Sequence, residues 1–380
     1  MKHSLPSSRS DLRARRSANT VTRLLLLTFF GLSVGISAAQ AQPRVYVTSP
    51  CSQSASVIDT ATNALATTFS VAPGPFGVAI TPDGTRAYIT SQSDHIVSVF
   101  DTATNTLVTT IPVGFTPTEL AISSVGNRAY VGNQGSGSIS VIDTATNTVI
   151  ATVVLNDLPS AIATTPDGTR VYVTVPFSDR VVVIDAATNT AIASIPVGNL
   201  PDGVAITPDG SRAYVSNLGT DSVSVIDTAT NTVLATIPVD DAPARIAFTP
   251  DGSRAYVTHS FVDTISVIDT ATNTVTADFP IGGASFSIAI TPDGSRAYIG
   301  TKGGTSITVL ETATNTVIAT LAEEDVPCSV GLAITPVPVV PTSKDDCKNG
   351  GYRRFGPPAG PFRNQGQCIS YVQHHSRVRP

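Results

Sequence analysis

Along most of the chain apolar and polar residues alternate with a period of two, in short runs such as VAIT, RAYVS and SVSVID, and no window keeps an apolar stripe at helical spacing. The pattern predicts strands throughout. The runs recur in blocks of 42 residues, of which GVAITPDGSRAYVSNLGTDSVSVIDTATNTVLATIPVD, from Gly203 to Asp240, is a representative stretch. The phase is marked by Tyr46, Tyr88, Tyr130, Tyr172, Tyr214, Tyr256 and Tyr298, and again by Asn63, Asn105, Asn147, Asn189, Asn231, Asn273 and Asn315. Within a block, Pro-Asp-Gly (Pro208, Asp209, Gly210) marks a turn between the first and second strands, because proline presets its own backbone angle and glycine tolerates a positive one. The Thr-Ala-Thr-Asn run marks the turn between the third and fourth. Four antiparallel strands per block, repeated about an axis, predict an all-β fold: a seven-bladed β-propeller of 42-residue, four-stranded blades.

The two ends of the array predict how the ring closes. The first copy begins at Arg44 with RVYVTS, a second strand, and the missing first strand, GLAIT, lies at Gly331 to Thr335, after the last copy. The C-terminal strand is therefore expected to pair with the N-terminal blade, hiding the two edges an open array would expose. An open solenoid is the alternative; it requires polar caps that the end copies lack. A further recurring pair runs from Arg44 and Asp59 to Arg296 and Glu311, fifteen residues apart in every block. These residues lie opposite each other in a short-looped hairpin, so a cross-strand ion pair is expected in each blade.

Outside the period, residues 1–41 read as a signal peptide. Arg9, Arg13, Arg15, Arg16 and Arg23 precede an apolar run from Leu24 to Val34, and Ala39 and Ala41 supply the small residues of a cleavage site. That run is too short to span a bilayer, so the mature chain is expected to lack a transmembrane segment and to be secreted, or to sit at the cell surface or in the periplasm. The propeller is assigned to residues 42–336, a Pro-rich linker to 337–343 and a basic, Cys-containing tail to 344–380. The repeats carry 10 basic against 25 acidic residues, a net −15, which excludes nucleic acid as an expected partner.

AYVSN at 213–217, AYVTH at 255–259, SVIDTATNTV and VAITPDG resemble the YVTN family of β-propeller repeats of bacterial and archaeal surface-layer and secreted proteins, over about Arg44 to Pro336. The resemblance implies a seven-bladed ring in an extracellular or envelope protein, and it implies no shared enzymatic chemistry. The tail, Cys347 to Val372, is similar to a short Cys-flanked module attached to various secreted bacterial proteins. An oxidising compartment favours a disulfide between Cys347 and Cys368 over a zinc site with His374 and His375. Cys51 and Cys328 fall in the same closing blade and are expected to form a second bridge.

Candidate function rests on the face whose loops vary. Glu119, Asp202 and Arg245 are expected near its central mouth, as surface groups, with Phe76, His95, Phe115, Phe177, Arg180, Asp240, Asp241, His259, Phe261, Phe286 and Lys302 farther out. Exposed aromatics among charges suit recognition of a protein or glycan at the cell envelope. The expectation is a non-catalytic binding scaffold, not an enzyme, with Glu119, Asp202, Arg245, Phe177, Phe261 and His259 as candidate contacts. Two alternatives stand beside it: a lactonase-like hydrolase or lyase with a site at the central channel, and a surface-layer structural protein. No metal-ligand spacing is visible among the histidines, and a quinone cofactor would be stacked on tryptophan, of which there is none. No cofactor and no metal are therefore expected.

Overall fold

The strands follow from alternation, and what they build follows from pairing. In the computed structural model, β16 (Pro201–Ile206), β17 (Arg212–Asn217), β18 (Ser222–Asp227) and β19 (Thr232–Pro238) form one antiparallel sheet in sequence order. The same four-strand sheet occurs seven times among the described residues, which are 43–301, 306–322 and 331–336 together with 365 and 369. The expected leader and linker, and all but those last two residues of the tail, lie outside them.

The closing blade is assembled from both ends of the ring. The short strand β28 (Leu332–Ile334) pairs antiparallel with β1 (Arg44–Ser49), which pairs with β2 (Ser54–Asp59) and it in turn with β3 (Ala64–Ser70). Innermost strands pack against their neighbours all the way round, so the ring is closed. The core is correspondingly layered between blades. In one layer Tyr214, Val223, Val225 and Ile237 meet Ile246, Ala255, Val257 and Ile268 of the next blade. At the seam Val45, Val47 and Ile58 meet Tyr298, Ile307, Val309 and Leu321. Burying each such side chain contributes about 1.5–3 kcal/mol, which makes the interfaces between sheets the main source of stability.

Polar links between blades explain the phase markers. Every Asn of the Thr-Ala-Thr-Asn turn has a positive φ, from 51° at Asn63 to 57° at Asn231, a conformation its short polar side chain tolerates. That turn places the Asn Oδ1 where the preceding blade's buried tyrosine donates to it: Tyr46 to Asn105 at 2.8 Å, Tyr172 to Asn231 at 2.9 Å, Tyr256 to Asn315 at 2.8 Å and, across the seam, Tyr298 to Asn63 at 2.6 Å. Tyr130 is the exception: its hydroxyl is buried without a hydrogen-bond partner among the described residues.

The expected intrablade ion pairs need correction. The register is as read, with Arg212 opposite Asp227 and Arg254 opposite Asp269, but among the described residues only Arg86 and Asp101 form the ion pair, at 2.6 Å. Other arginines reach forward instead. Arg212 donates to the Thr270 carbonyl at 2.9 Å, Arg254 to that of Thr312 at 2.6 Å, and Arg170 to that of Thr228, each in the next blade. The carboxylates are occupied within their own turns: Asp227 Oδ1 accepts from the Thr230 N–H at 2.7 Å and its hydroxyl at 2.8 Å. These turn contacts hold the Asp143, Asp185, Asp227 and Asp269 carboxyls below their ordinary range.

Candidate functional site

The site is built from two neighbouring positions at the start of each innermost strand. Around the ring the first position is Phe76, Thr118, Ser160, Asp202, Ala244 and Phe286 in six blades, and the next is Gly77, Glu119, Ala161, Gly203, Arg245, Ser287 and, in the closing blade, Gly331. In β4 (Pro75–Ile80), β8 (Pro117–Ile122), β16 and β20 (Pro243–Phe248) the ladder slips at these two residues, for example between Pro201 and Val204 and between Pro243 and Ile246. Such bulges re-aim side chains, here into the channel mouth. A hydroxyl on the preceding blade then fixes four of the first-position carbonyls: Thr90 donates to Thr118 at 2.6 Å, Thr174 to Asp202 at 3.0 Å, Thr48 to Phe76 and Ser216 to Ala244. The Arg245 N–H is held by the Thr258 hydroxyl at 2.8 Å.

Three residues singled out from the sequence converge there. Arg245 donates from one terminal nitrogen to Asp202 Oδ2 at 2.6 Å and from the other to Glu119 Oε1 at 3.2 Å, although 126 residues separate Arg245 from Glu119. Its side chain is only 14% exposed, and the guanidinium carbon lies 4.8 Å from the centre of the Phe286 ring. Burial works against the guanidinium's charge, but the two carboxylates outweigh it and raise its pKa above the ordinary value. Asp202 is also held through Oδ1 by the Ser160 hydroxyl at 2.8 Å. The expectation of surface groups is thus corrected to a mostly buried, hydrogen-bonded cluster.

A cavity of about 210 Å³ opens over this cluster, lined by Phe76, Gln92, Thr118, Glu119, Gln134, Ser160, Asp202, Arg245 and Phe286. Phe76 and Phe286 therefore belong to the mouth rather than the periphery, in edge-to-face contact with centroids 6.3 Å apart. Gln92, Gln134, Thr118 and Ser160 were not singled out, although a signal existed. Thr118 and Ser160 share their block position with Asp202, and Gln92 and Gln134 are 42 residues apart.

The remaining candidates part company. Phe177 and Phe261 stand on the loops after the second strands of their blades, 70% and 63% exposed. His259 is buried completely and so offers no surface for a partner. It occupies the position that Asn133 and Asn217 take in their blades and does their work: its ring nitrogens lie 3.0 Å from the Asp241 carbonyl and 2.9 Å from the Ser266 hydroxyl, as Asn217 bonds Ser222 and Ser224. Burial lowers its pKa below 6.5, despite the opposing effect of nearby Asp240, Asp241 and Asp278. Cys51 is disulfide-bonded, whereas Cys328, Cys347 and Cys368 lie outside the described residues.

The donor set does not suit a metal ion. No group of three or more His, Cys, Asp or Glu is assembled among the described residues, and the guanidinium stands between the two carboxylates where a cation would be placed. What the mouth offers is a fixed cation with further N–H donors, two carboxylates, neutral hydrogen-bonding groups and two aromatic rings.

Comparisons with known proteins bear on this site. Residues 201–327 match the family model "Lactonase, 7-bladed beta-propeller", a stretch that contains Asp202, Arg245 and Phe286. Among curated proteins no match is found. Similar solved structures include Kuenenia stuttgartiensis hydrazine synthase, 27% identical over 70% of this chain and 87% of that one with a TM-score of 0.60. A functionally unknown protein from Desulfotomaculum acetoxidans is 18% identical over 77% of this chain and 99% of that one, with a TM-score of 0.70. A candidate 6-phosphogluconolactonase from Bacteroides uniformis is 17% identical over 78% of this chain and 100% of that one, with a TM-score of 0.68. The last two speak to the fold alone. The expectation that the protein is not an enzyme is corrected by the lactonase match, because the matched stretch carries part of the polar cluster at the mouth.

Proposed function

We propose that the protein hydrolyses a cyclic ester at the channel mouth. The observation that carries this reading is Arg245, held between Asp202 and Glu119 in a small cavity floored by aromatic rings. The lactonase match over residues 201–327 supports it, and the chemistry follows from the side chains. Two N–H groups of Arg245 are engaged by carboxylates, which leaves others to receive the lactone carbonyl oxygen and the negative charge that develops on it. Glu119, the more loosely held carboxylate at 3.2 Å, takes a proton from water as its oxygen attacks the carbonyl carbon. Collapse of the tetrahedral species breaks the ring carbon–oxygen bond, and the departing alkoxide recovers the proton from Glu119. Water and lactone become one hydroxy acid. Asp202, fixed by Ser160, keeps the guanidinium oriented. We further propose that the reaction takes place outside the cytoplasm, on the strength of the leader-like residues 1–41.

The test is a proton-release assay on the full chain with a panel of five- and six-membered lactones. Turnover above buffer is expected for at least one. Arg245→Lys is expected to lower kcat by about 10²–10³, the loss typical of a removed oxyanion donor, and Glu119→Gln by about 10²–10⁴, as for a lost general base. An unchanged rate in both variants, or no turnover across the panel, would refute the proposal.

A further inference from the structure

We infer that the mouth site selects an uncharged single-ring substrate and rejects a phosphorylated one. The inference rests on the hydrolytic reading above and adds the substrate class to it. Arg245 is outnumbered by the carboxylates that hold it, so the cluster carries a net −1, and the other lining side chains, Phe76, Gln92, Thr118, Gln134, Ser160 and Phe286, are neutral. No phosphate-sized counter-charge is near by among the described residues. Arg180 is engaged by Asp157 at 3.3 Å, and the remaining arginines belong to the repeated position beside the Thr-Ala-Thr-Asn turns, at the other end of the blades from the mouth. The one other cation of the repeats, Lys302, lies outside the described residues. The repeats as a whole carry a net −15, so the field that a substrate meets on approach also disfavours an anion.

Size and surface point the same way. The cavity of about 210 Å³ is smaller than the ~300–1,000 Å³ of sites for drug-sized ligands, which suits one ring without a long substituent. The two phenylalanines offer a stacking face, while the glutamine amides and the Thr118 and Ser160 hydroxyls offer partners to ring hydroxyls. Charge also favours product release. A neutral lactone enters, whereas its hydroxy-acid product is ionised and is repelled by the same net −1.

The experiment has a turnover arm and a binding arm, both on the full chain. Turnover compares D-glucono-1,5-lactone with its 6-phosphate; binding, by calorimetry, compares the corresponding neutral lactam with its 6-phosphate. Like-charge juxtaposition predicts at least about tenfold weaker kcat/KM and binding for the phosphorylated member of each pair, with the gap widening at low salt. Glu119→Gln, which makes the cluster neutral, is expected to narrow the gap in lactam binding whatever it does to turnover. Equal or tighter binding of the phosphorylated lactam, or a gap indifferent to Glu119→Gln, overturns the inference. If the neutral lactam binds selectively but no lactone is hydrolysed, selectivity stands and the hydrolytic proposal falls. If neither lactam binds, the inference is overturned, and the hydrolytic proposal stands or falls by the lactone panel alone.

Discussion

Replacing one turn asparagine by glycine isolates the bond that joins two blades. Glycine keeps the positive φ at no steric cost, so Asn231→Gly removes the Oδ1 acceptor of Tyr172, 2.9 Å away, without straining the turn. Tyr172 is fully buried, and the remaining acceptor for its hydroxyl among the described residues is the Thr228 carbonyl, 3.4 Å away. Leaving such a donor poorly satisfied costs about 1–3 kcal/mol. Asn231→Ala loses the same acceptor and must also hold alanine in the left-handed region, for about 1–2 kcal/mol more. The molecule contains its own control: the Tyr130 hydroxyl has no partner among the described residues, so Asn189→Gly removes only the Arg128 contact at 3.2 Å. A partly exposed contact of that kind contributes under about 1 kcal/mol. Urea unfolding of the four chains is the assay, with slopes compared first because repeat arrays can depart from two-state behaviour. A double-mutant cycle then asks for coupling of about 1 kcal/mol between Tyr172→Phe and Asn231→Gly and none between Tyr130→Phe and Asn189→Gly. Equal losses at the two asparagines, or equal couplings, would refute the claim that the tyrosine bond links the blades.

Other outcomes follow from the same structure. Arg245→Met leaves two mostly buried carboxylates facing each other and is expected to cost about 3 kcal/mol, the low end for breaking a buried ion pair, in urea unfolding. A change within about 0.5 kcal/mol would mean that Arg245 behaves as an ordinary surface residue. His259 has a folded-state pKa below its ordinary 6.5, so the unfolded chain binds its proton first; its contribution is complete above pH 6.5 and is lost as pH falls toward the folded value. His259→Asn restores the residue of the equivalent positions and is expected to flatten the melting temperature across that acidic window. Burial raises Tyr46 and Tyr88 to about 12, so their contribution is intact below the unfolded value of about 10 and is lost between pH 10 and 12. With Tyr352 and Tyr371 of the tail replaced by Phe, the tyrosinate absorbance of the seven ring tyrosines should accordingly appear together with unfolding, and its appearance near pH 10 in a folded ring would contradict the burial argument. Non-reducing peptide mapping is expected to join Cys51 to Cys328; a Cys51 fragment carrying Cys347 or Cys368 would refute that pairing.

The fold was legible because a period of 42 residues fixes every strand seven times over, and because the misplaced strand at Gly331 to Thr335 makes sense only in a ring. What lay beyond the sequence was the reach of side chains between sheets. The interval from Arg212 to Asp227 gives their register within a hairpin but not that the guanidinium turns to Thr270 in the next blade. Tyr172 and Asn231 marked the phase, yet their bond joins residues 59 apart and belongs to neither repeat alone. His259 misled for a related reason. At the end of a second strand it looked like a loop residue, whereas its block position, shared with Asn133 and Asn217, marks it as a buried stand-in for asparagine.

The channel-mouth site is legible in a different way, as a break in the period at a position where the period has a steric cause. A Cβ on Gly77 would lie 2.7 Å from the Thr118 carbonyl oxygen, and one on Gly203 would collide with that of Ala244, so this column is kept small where innermost strands crowd the axis. Glu119 and Arg245 sit in that same column. Glu119 precedes the blade whose innermost strand, β12 (Ile162–Thr164), is the shortest of those lying wholly between two complete blades, and Arg245 precedes Phe286, over whose ring its guanidinium lies. A long charged side chain in a column built for glycine has room only over the channel. Two such residues of opposite sign, with Asp202 one position away in its own blade, meet there because the ring brings the columns together. Their chemistry is a consequence of closure: an open array of the same repeats would leave Glu119 and Arg245 three blades apart.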